Sequence, residues 1–222
     1  MNKSDPNKPD LAIFVGPSAH GIDPSFFSGL TVLPPVRRGD IQSLVDATDR
    51  PGQVAIVDGT FHSYPSVGHA EIRTALAAGW VVWGLSSMGA LRAAEMHSMG
   101  MRGFGEVFQQ YVMNPDLDDD EVALLHGSEQ PHPPLSEPLI HIREFLARLQ
   151  KRDVIGPDEA DHIIHTLKYR WYGERTLPLL RDSLVEHGGL SMSAATAEVL
   201  DFGDSRLKTL DLIRFIEEKP WR

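Results

Sequence analysis

Short apolar runs alternate with amphipathic segments over the first half of the chain. The runs at residues 11–16, 53–58 and 81–85 are nearly uninterrupted, and each ends at or directly before a glycine, aspartate or serine. Buried strands of a parallel sheet have this pattern, because helices cover both faces of such a sheet. The fold class is therefore predicted to be α/β, with an open, mostly parallel sheet and helices on both faces.

The segments between and after these runs carry helix caps and helical spacing of apolar residues. Asp40 is placed to cap the first helix, and Ser66 precedes the second, which ends at Gly79. The predicted helices of this half cover residues 41–47, 67–77, 88–98 and 104–113.

The pattern changes after a stretch at residues 127–134 that contains prolines and histidines. Beyond it the apolar residues recur at helical spacing only. We predict a disordered tail over residues 1–10, an α/β core over 11–126 and an all-helical C-terminal subdomain over 127–222. The helices of that subdomain are expected around residues 139–149, 157–172, 176–186, 193–200 and 205–218.

Composition and charge narrow the class of protein. The 222 residues are 41% hydrophobic and contain no cysteine, so disulfides, thiolate nucleophiles and cysteine-based zinc sites are excluded. The polar N-terminus is not a signal peptide, and no apolar run approaches the ~20 residues needed to span a bilayer. A net charge of -10 opposes binding to nucleic acid or anionic lipid. We expect a soluble, cytoplasmic protein with neither a nucleic-acid nor a membrane partner.

Polar loops follow the three predicted strands. In an open α/β sheet, ligands bind beyond the carboxyl ends of the strands, so these loops are predicted to meet at one edge and to contact substrate. The loop residues that we expect there are Gly16, Pro17, Ser18, Asp58, Gly59, Ser86, Ser87, Met88 and Gly89.

Ser87 is the main candidate for chemistry. It stands between the last strand and a helix, in a sequence close to a nucleophile elbow but without the strict Gly-x-Ser-x-Gly spacing. In this position a serine can be a nucleophile, bind an anion beside the helix N-terminus, or simply cap the helix. The sequence leaves these three interpretations open.

A nucleophilic serine needs a base. His69 and Glu71 lie at the start of the second helix, while His20 and His62 lie on the loops after the first two strands. Residues two apart on a helix point away from each other, so only one of His69 and Glu71 is expected to face a substrate. His69 is our first choice as the base and Glu71 is expected to hold the local geometry, although His69 can also be a packed surface residue.

Three charged residues have two interpretations each. Arg92 and Glu95 are three apart and can form an ion pair, but Arg92 can also reach an anionic ligand at the helix N-terminus. Arg38 either belongs to a capped loop or contacts an anion. Asp58 is a candidate catalytic carboxylate at a strand end, yet Asp-Gly is also ordinary turn sequence.

No cofactor site is predicted. The acidic run at residues 116–121 is not an EF-hand, because Glu121 stands at position six and Gly127 at position twelve. A solvated, helix-capping charge cluster is favoured there over a weak Mg²⁺ site. Neither a His-Glu-x-x-His motif nor a Walker A sequence occurs, so neither a protein-bound metal nor a nucleotide is expected.

Several of these motifs resemble the TfuA-like family. The most specific is Ser87-Met-Gly-Ala-Leu-Arg-Ala-Ala-Glu95, and Ile56-Val-Asp-Gly-x-Phe61 and His69-x-Glu71-Ile72 also match. The resemblance covers about residues 11–126, and the helical tail matches only through Arg170-x-Tyr172-x-Glu174-Arg175. The other matching segments are residues 13–18, 38–40, 100–105, 119–123 and His126.

The resemblance implies an accessory role in the synthesis of thioamidated ribosomal peptides. The implied partners are a YcaO-type cyclodehydratase, which would bind the ATP, a ThiS-like ubiquitin-fold sulfur carrier and the precursor peptide. Hydrolysis of the carrier's thiocarboxylate would release sulfide, and it needs a nucleophile or activated water and an oxyanion hole. The alternative is a non-catalytic scaffold that binds the YcaO partner or the precursor peptide, with Ser87 only a cap.

Overall fold

The computed structural model describes residues 11–60, 64–129 and 132–222. The predicted tail over residues 1–10 and the candidate base His62 lie outside these residues. The chain forms two compact units, one of residues 11–115 together with Asp211–Arg222 and the other of Asp116–Leu210. None of the helices in the described ranges is long and apolar enough to cross a membrane.

The first unit contains a five-stranded parallel sheet. Its order is β2-β1-β3-β4-β5, and Ile13 in β1 pairs with Val32 in β2 and Ala55 in β3. The prediction of an open parallel sheet is therefore confirmed. The strands are β1 (Ala12–Phe14), β2 (Thr31–Leu33), β3 (Gln53–Ile56), β4 (Val81–Leu85) and β5 (Arg102–Phe104).

The two edge strands were not predicted. Each has only three residues, and β2 is partly exposed while β5 begins with an exposed arginine. An edge strand with one open side does not need the continuous apolar run that identifies a buried strand. Strand β5 also takes Phe104, which was predicted to be helical.

Three of the four helices predicted in this unit begin one or two residues away from the predicted starts. The four are α1 (Asp40–Asp46), α2 (His69–Ala77), α3 (Met88–Met96) and α4 (Glu106–Met113). Asp40 is the first helical residue and not the cap, since Gly39 occupies the cap position with φ of 93°. Likewise Gly68 precedes α2, so the helix starts at His69 and not at residue 67.

Helices cover both faces of the sheet. On one face, β1, β3 and β4 pack against Leu212 and Phe215 of α9 (Leu207–Glu218). On the other face α3 lies unusually close to the strands, because a Cβ at Gly89 would overlap the carbonyl oxygen of Ile56. A Cβ at Gly84 would likewise overlap the backbone of Gly89 and the side chain of Ala93. Glycine at these two positions allows the start of α3 to contact the strand ends.

The second unit has helices and connecting loops in its described part, with one isolated antiparallel bridge between His126 and Pro134. Its long helices are α5 (Leu139–Lys151), α6 (Pro157–Lys168), α7 (Leu177–Glu186) and α8 (Met192–Leu200), packed around an apolar core that includes Phe145 and Phe202. The predicted helix over 157–172 ends at Lys168. The chain then turns around Arg175, whose fully buried guanidinium donates to the backbone oxygens of Leu167 and Asp120.

The acidic run is only partly the solvated cluster that we expected, because its last two residues are tied into this unit. Glu121 is fully buried, and both of its oxygens accept hydrogen bonds from Arg143 at 3.0 and 2.8 Å. Asp120 pairs with Arg175 at 2.7 Å, and the exposed Asp118 pairs with Lys168 at 2.8 Å. The carboxylates are thus ion-pair partners of the helices. In the described ranges no three His, Asp or Glu side chains are grouped as metal ligands.

Candidate functional site

Asp58 joins the carboxyl ends of β1 and β3. Its carboxylate is almost fully buried, and Oδ2 accepts hydrogen bonds from the N–H groups of Gly16 at 2.8 Å and Ser18 at 2.9 Å. The other oxygen, Oδ1, accepts from the Ser18 hydroxyl at 2.7 Å. We call these residues the Asp58 clasp. It brings four predicted site residues together, since Pro17 lies in the same turn.

The next strand ends in a strained turn formed by Ser86 and Ser87, which we call the serine turn. Ser86 has φ of 63°, and the N–H of Ser87 donates to the carbonyl oxygen of Leu85 at 2.7 Å. These are the features of a γ-turn with positive φ, a conformation that is rare outside glycine. Both serines are buried, with exposures of 0% for Ser86 and 4% for Ser87.

Ser87 occupies the cap position of α3 without acting as its cap. Within the described part of the chain, its side chain accepts no hydrogen bond from the first turn of the helix. Ser191, by contrast, caps α8 by accepting a hydrogen bond from the N–H of Ala194 at 3.3 Å. The bond that would make Ser87 a simple helix cap is therefore missing.

The backbone at the start of α3 is mostly engaged within the fold. The N–H of Gly89 donates to Val57 at 3.2 Å, and the N–H of Ala90 donates to the carbonyl of Ser87 at 2.9 Å. The Met88 side chain is buried and lies so close to Gly59 that a Cβ there would meet it. Met88 and Gly89, both predicted substrate contacts, hold the helix against the sheet in this structure.

His69 pairs with Glu95. The distance from Nε2 to Oε2 is 2.8 Å, and the same oxygen accepts a hydrogen bond from Nη1 of Arg92 at 2.7 Å. Arg92 is itself anchored, because its Nε donates to the carbonyl of Val67 at 3.1 Å. We call His69, Glu95 and Arg92 the histidine cluster. The His69 side chain is 53% exposed, so the cluster is open to solvent on its histidine side.

Glu71 and Arg38 hold the neighbouring loops. One oxygen of Glu71 accepts from the N–H of Gly68 at 2.8 Å, and the other accepts from the N–H of Gly39 at 2.9 Å. Arg38 donates from Nε to the carbonyl of Ser66 at 3.3 Å. Glu71 thus ties the start of α1 to the start of α2, and both of its oxygens are occupied by backbone donors.

The predicted catalytic residues form two groups. Glu95 stands eight residues after Ser87, which corresponds to about 12 Å along the axis of α3. In the described ranges no hydrogen bond joins His69 and Ser87, because His69 is held on Glu95. His20 lies at the end of the turn that follows β1. The clasp and the serine turn lie at the ends of adjacent strands. The histidine cluster joins the start of α2 to Arg92 and Glu95, further along α3.

A protein-family comparison identifies the family of this chain. A family model described as TfuA-like protein matches residues 58–176, which is more than half of the chain. The chain belongs to the TfuA-like family. In this TfuA-like chain the matched stretch begins at Asp58, includes the serine turn and the histidine cluster, and ends one residue beyond Arg175. It therefore reaches further into the helical region than the resemblance suggested. A search of curated proteins found no match.

Sequence reasoning did not assign roles to two residues that the structure places in these groups. The sequence predicts Glu95 only as an ion-pair partner of Arg92, because a contact with His69 across 26 positions leaves no trace in local spacing. Ser86 is predicted from the sequence only as a loop residue at the edge of the sheet. The available signal was Gly84-x-Ser86, which matches the first half of the nucleophile-elbow pattern.

Proposed function

We propose that this TfuA-like protein is an accessory hydrolase for ATP-dependent backbone thioamidation. It hydrolyses the thiocarboxylated C-terminus of a ubiquitin-fold sulfur carrier, and the sulfide is used by a YcaO-type cyclodehydratase that binds the ATP. Membership of the TfuA-like family supports the association with thioamidation. The residues of the site support the hydrolytic step.

The proposal rests mainly on the position and the hydrogen bonding of Ser87. It lies at the carboxyl end of the inner strand β4, in the position of a helix cap, and its hydroxyl makes no cap hydrogen bond in the described structure. Its strand neighbour β3 ends beside it in the Asp58 clasp. A hydroxyl at this edge of the sheet, unused by the helix, is placed as a nucleophile would be.

The reaction balances without a cofactor. The Ser87 oxygen attacks the carbonyl carbon of the thiocarboxylate, the serine proton passes to sulfur, and the carbon–sulfur bond breaks to release HS⁻. The resulting ester between Ser87 and the carrier is then hydrolysed by water, which returns the serine and leaves a carboxylate and a proton. Such covalent catalysis divides one difficult step into two easier ones.

His69 is the base that we propose for these proton transfers. A histidine oriented by a carboxylate is the usual partner of a nucleophilic serine. His69 keeps its hydrogen bond to Glu95 in this role, so the proton passes between its ring and Ser87 through water. The exposed side chain of His69 is open to that water.

Two arginines offer binding contacts for the anionic end of the substrate. Arg38 donates to the carbonyl of Ser66 at 3.3 Å, and Nη2 of Arg92 lies 3.4 Å from the hydroxyl of the same residue. The two guanidinium groups therefore converge beside the start of α2. Guanidinium groups bind carboxylates through paired N–H donors, and a thiocarboxylate presents similar geometry.

A scaffold role is the second candidate, and exposed apolar side chains of the helical unit favour it. Tyr169 is 76% exposed and Leu200 is 82% exposed, and Trp171 and Met192 are exposed as well. Exposed aromatic and aliphatic side chains are common at protein–protein contacts. In this alternative the unit binds the YcaO-type partner or the precursor peptide, and Ser87 has no chemical role.

Sulfide release by the purified protein separates the two candidates. The substrate is the thiocarboxylated carrier, without the cyclodehydratase, and the variants are Ser87→Ala and Ser191→Ala. Ser191→Ala removes a true helix cap and should cost ~1 kcal/mol of stability with full sulfide release. Ser87→Ala should abolish sulfide release with little change in stability. Full release by Ser87→Ala, or no release by the unaltered protein, would favour the scaffold.

A further inference from the structure

We propose that Ser86 is a second catalytic residue of this site. Its hydroxyl donates a hydrogen bond to the substrate oxygen that becomes negatively charged when Ser87 attacks. This inference rests on the proposed function, because it assigns a role in the same reaction.

The Ser86 hydroxyl is buried and has nothing to bind. The residue has no exposed surface, and Oγ has no hydrogen-bond partner among the residues that the structure describes. Leaving a buried hydroxyl unpaired costs ~1–3 kcal/mol. An unpaired donor beside a reactive group is therefore a candidate to bind an atom that arrives with the substrate.

Neither the turn nor the packing requires a hydroxyl at position 86. A φ of 63° is adopted most readily by glycine, so a glycine would form the same turn with less strain. An alanine would fill the space of the Cβ without burying an unpaired polar group. The serine is thus the least stable of these three choices, which points to a role for its oxygen in function.

Three backbone donors near Ser87 are already used. The N–H of Gly89 donates to Val57, the N–H of Ala90 donates to Ser87 and the N–H of Ser87 donates to Leu85. This leaves the N–H of Met88, the residue after Ser87, so an oxyanion hole with two donors needs one more. The Ser86 hydroxyl carries a proton without an acceptor, and its Cα is only ~3.8 Å from that of Ser87.

In the reaction Ser86 is neither consumed nor charged. When the Ser87 oxygen bonds to carbon, the carbonyl electron pair moves to the substrate oxygen, which then accepts the Ser86 O–H. When the carbonyl reforms, the carbon–sulfur bond breaks and HS⁻ leaves with the proton from Ser87. Side-chain donors of this kind contribute ~10²–10³-fold to turnover in other acyl-transfer enzymes.

The test compares Ser86→Ala with Ser205→Ala in the full-length protein. Ser205 is the matched control, because it too is fully buried with an unpartnered Oγ in the described structure. Both variants should unfold in urea at or above the midpoint of the unaltered protein. Ser86→Ala should lower kcat for sulfide release ~10²–10³-fold with KM for the thiocarboxylated carrier unchanged, whereas Ser205→Ala should keep full kcat.

Two further variants, Ser86→Gly and Ser87→Ala, distinguish a failure of this inference from a failure of the proposed function. Ser86→Gly accepts the turn without a hydroxyl and should lose the same kcat. Recovery of kcat in Ser86→Gly would overturn the inference, because the turn and not the hydroxyl would then matter. Full kcat in Ser86→Ala with an inactive Ser87→Ala would also overturn it and leave the proposed function standing. Full kcat in both alanine variants would overturn the proposed function itself, and with it the inference.

Discussion

The imidazole of His69 and the carboxylate of Glu95 share a 2.8 Å hydrogen bond, although 26 positions separate them in the chain. Arg92 holds the same carboxylate oxygen at 2.7 Å, so Glu95 is fixed from two sides. When the proton of the imidazole lies on Nε2 and points to Glu95, the lone pair lies on Nδ1. Nδ1 is then the nitrogen that can take a proton.

Substitutions in the histidine cluster should lower turnover strongly at His69 and more weakly at Glu95. His69→Gln should reduce kcat for sulfide release ~10²–10⁴-fold, which is the usual contribution of a general base. Glu95→Gln removes only the orienting charge and should cost about tenfold, or ~1.4 kcal/mol in the barrier. His97→Gln is the control, because His97 is also exposed and, among the described residues, bonds only the carbonyl of Ala94. Equal activity of all three variants would exclude His69 as the base.

Because of the hydrogen bonds in the Asp58 clasp, Asp58→Ala should destabilise the protein more than Asp58→Asn. Asp58→Ala leaves the buried N–H groups of Gly16 and Ser18 without an acceptor, so the free energy of unfolding should fall by ~2–4 kcal/mol. Asp58→Asn can keep both of these bonds through its carbonyl oxygen while its amide donates to the Ser18 hydroxyl, and should cost ~1 kcal/mol or less.

Urea unfolding measures the two stabilities, and sulfide release shows whether Asp58 also has a chemical role. An Asp58→Asn protein of near-normal stability should retain turnover if Asp58 only holds the loop. Loss of turnover in this stable variant would instead indicate a water molecule activated by Asp58.

His141 makes the helical unit sensitive to acid. Nδ1 lies 3.2 Å from Glu137, and Nε2 accepts the N–H of Lys208 at 3.3 Å, so a neutral ring satisfies both contacts. Burial lowers the pKa of His141 from 6.5 to about 4. Between these values the unfolded chain binds the extra proton, so stability is present above pH 6.5 and is lost as the pH falls toward 4. The full loss is about 3 kcal/mol.

The measurement is the urea unfolding of the unaltered protein and of His141→Gln at pH 7 and pH 4.5. At pH 4.5, only the unaltered protein should lose the contribution of His141 to the free energy of unfolding. Burial raises the pKa of Asp211 to about 6, which acts in the opposite direction over the same range. The difference between the two proteins cancels the effect of Asp211, which is present in both. If the free energy of unfolding of both proteins depends on pH in the same way, protonation of His141 is not what destabilises the protein in acid.

The sequence predicted the buried half of the fold better than its edges. The continuous apolar runs identified β1, β3 and β4, because each is covered on both faces. Strand β2 and strand β5 have one open side and three residues each, so they leave no periodic signal. Helix starts were misplaced at Asp40 and Ser66, since Gly39 and Gly68 occupy the cap positions.

The candidate site was predictable where strand ends determine it. The rule that loops after parallel strands share one edge brought Ser18, Asp58 and Ser87 to the same side of the sheet. It could not give the pairing of side chains. The contact of His69 with Glu95 and the burial of Glu121 against Arg143 depend on tertiary packing between distant segments, which local spacing does not encode.

The central claim is that Ser87 becomes acylated during sulfide release, and peptide mass mapping tests it most directly. The protein is incubated with the thiocarboxylated carrier, quenched in acid and digested, and the peptide that contains residues 86 and 87 is sequenced by fragmentation. We predict the carrier's C-terminal acyl group on the Ser87 oxygen of the unaltered protein, more slowly formed in Ser86→Ala and absent from Ser87→Ala. An acyl group on another residue, or sulfide release with no acylated peptide at any time point, would contradict this account.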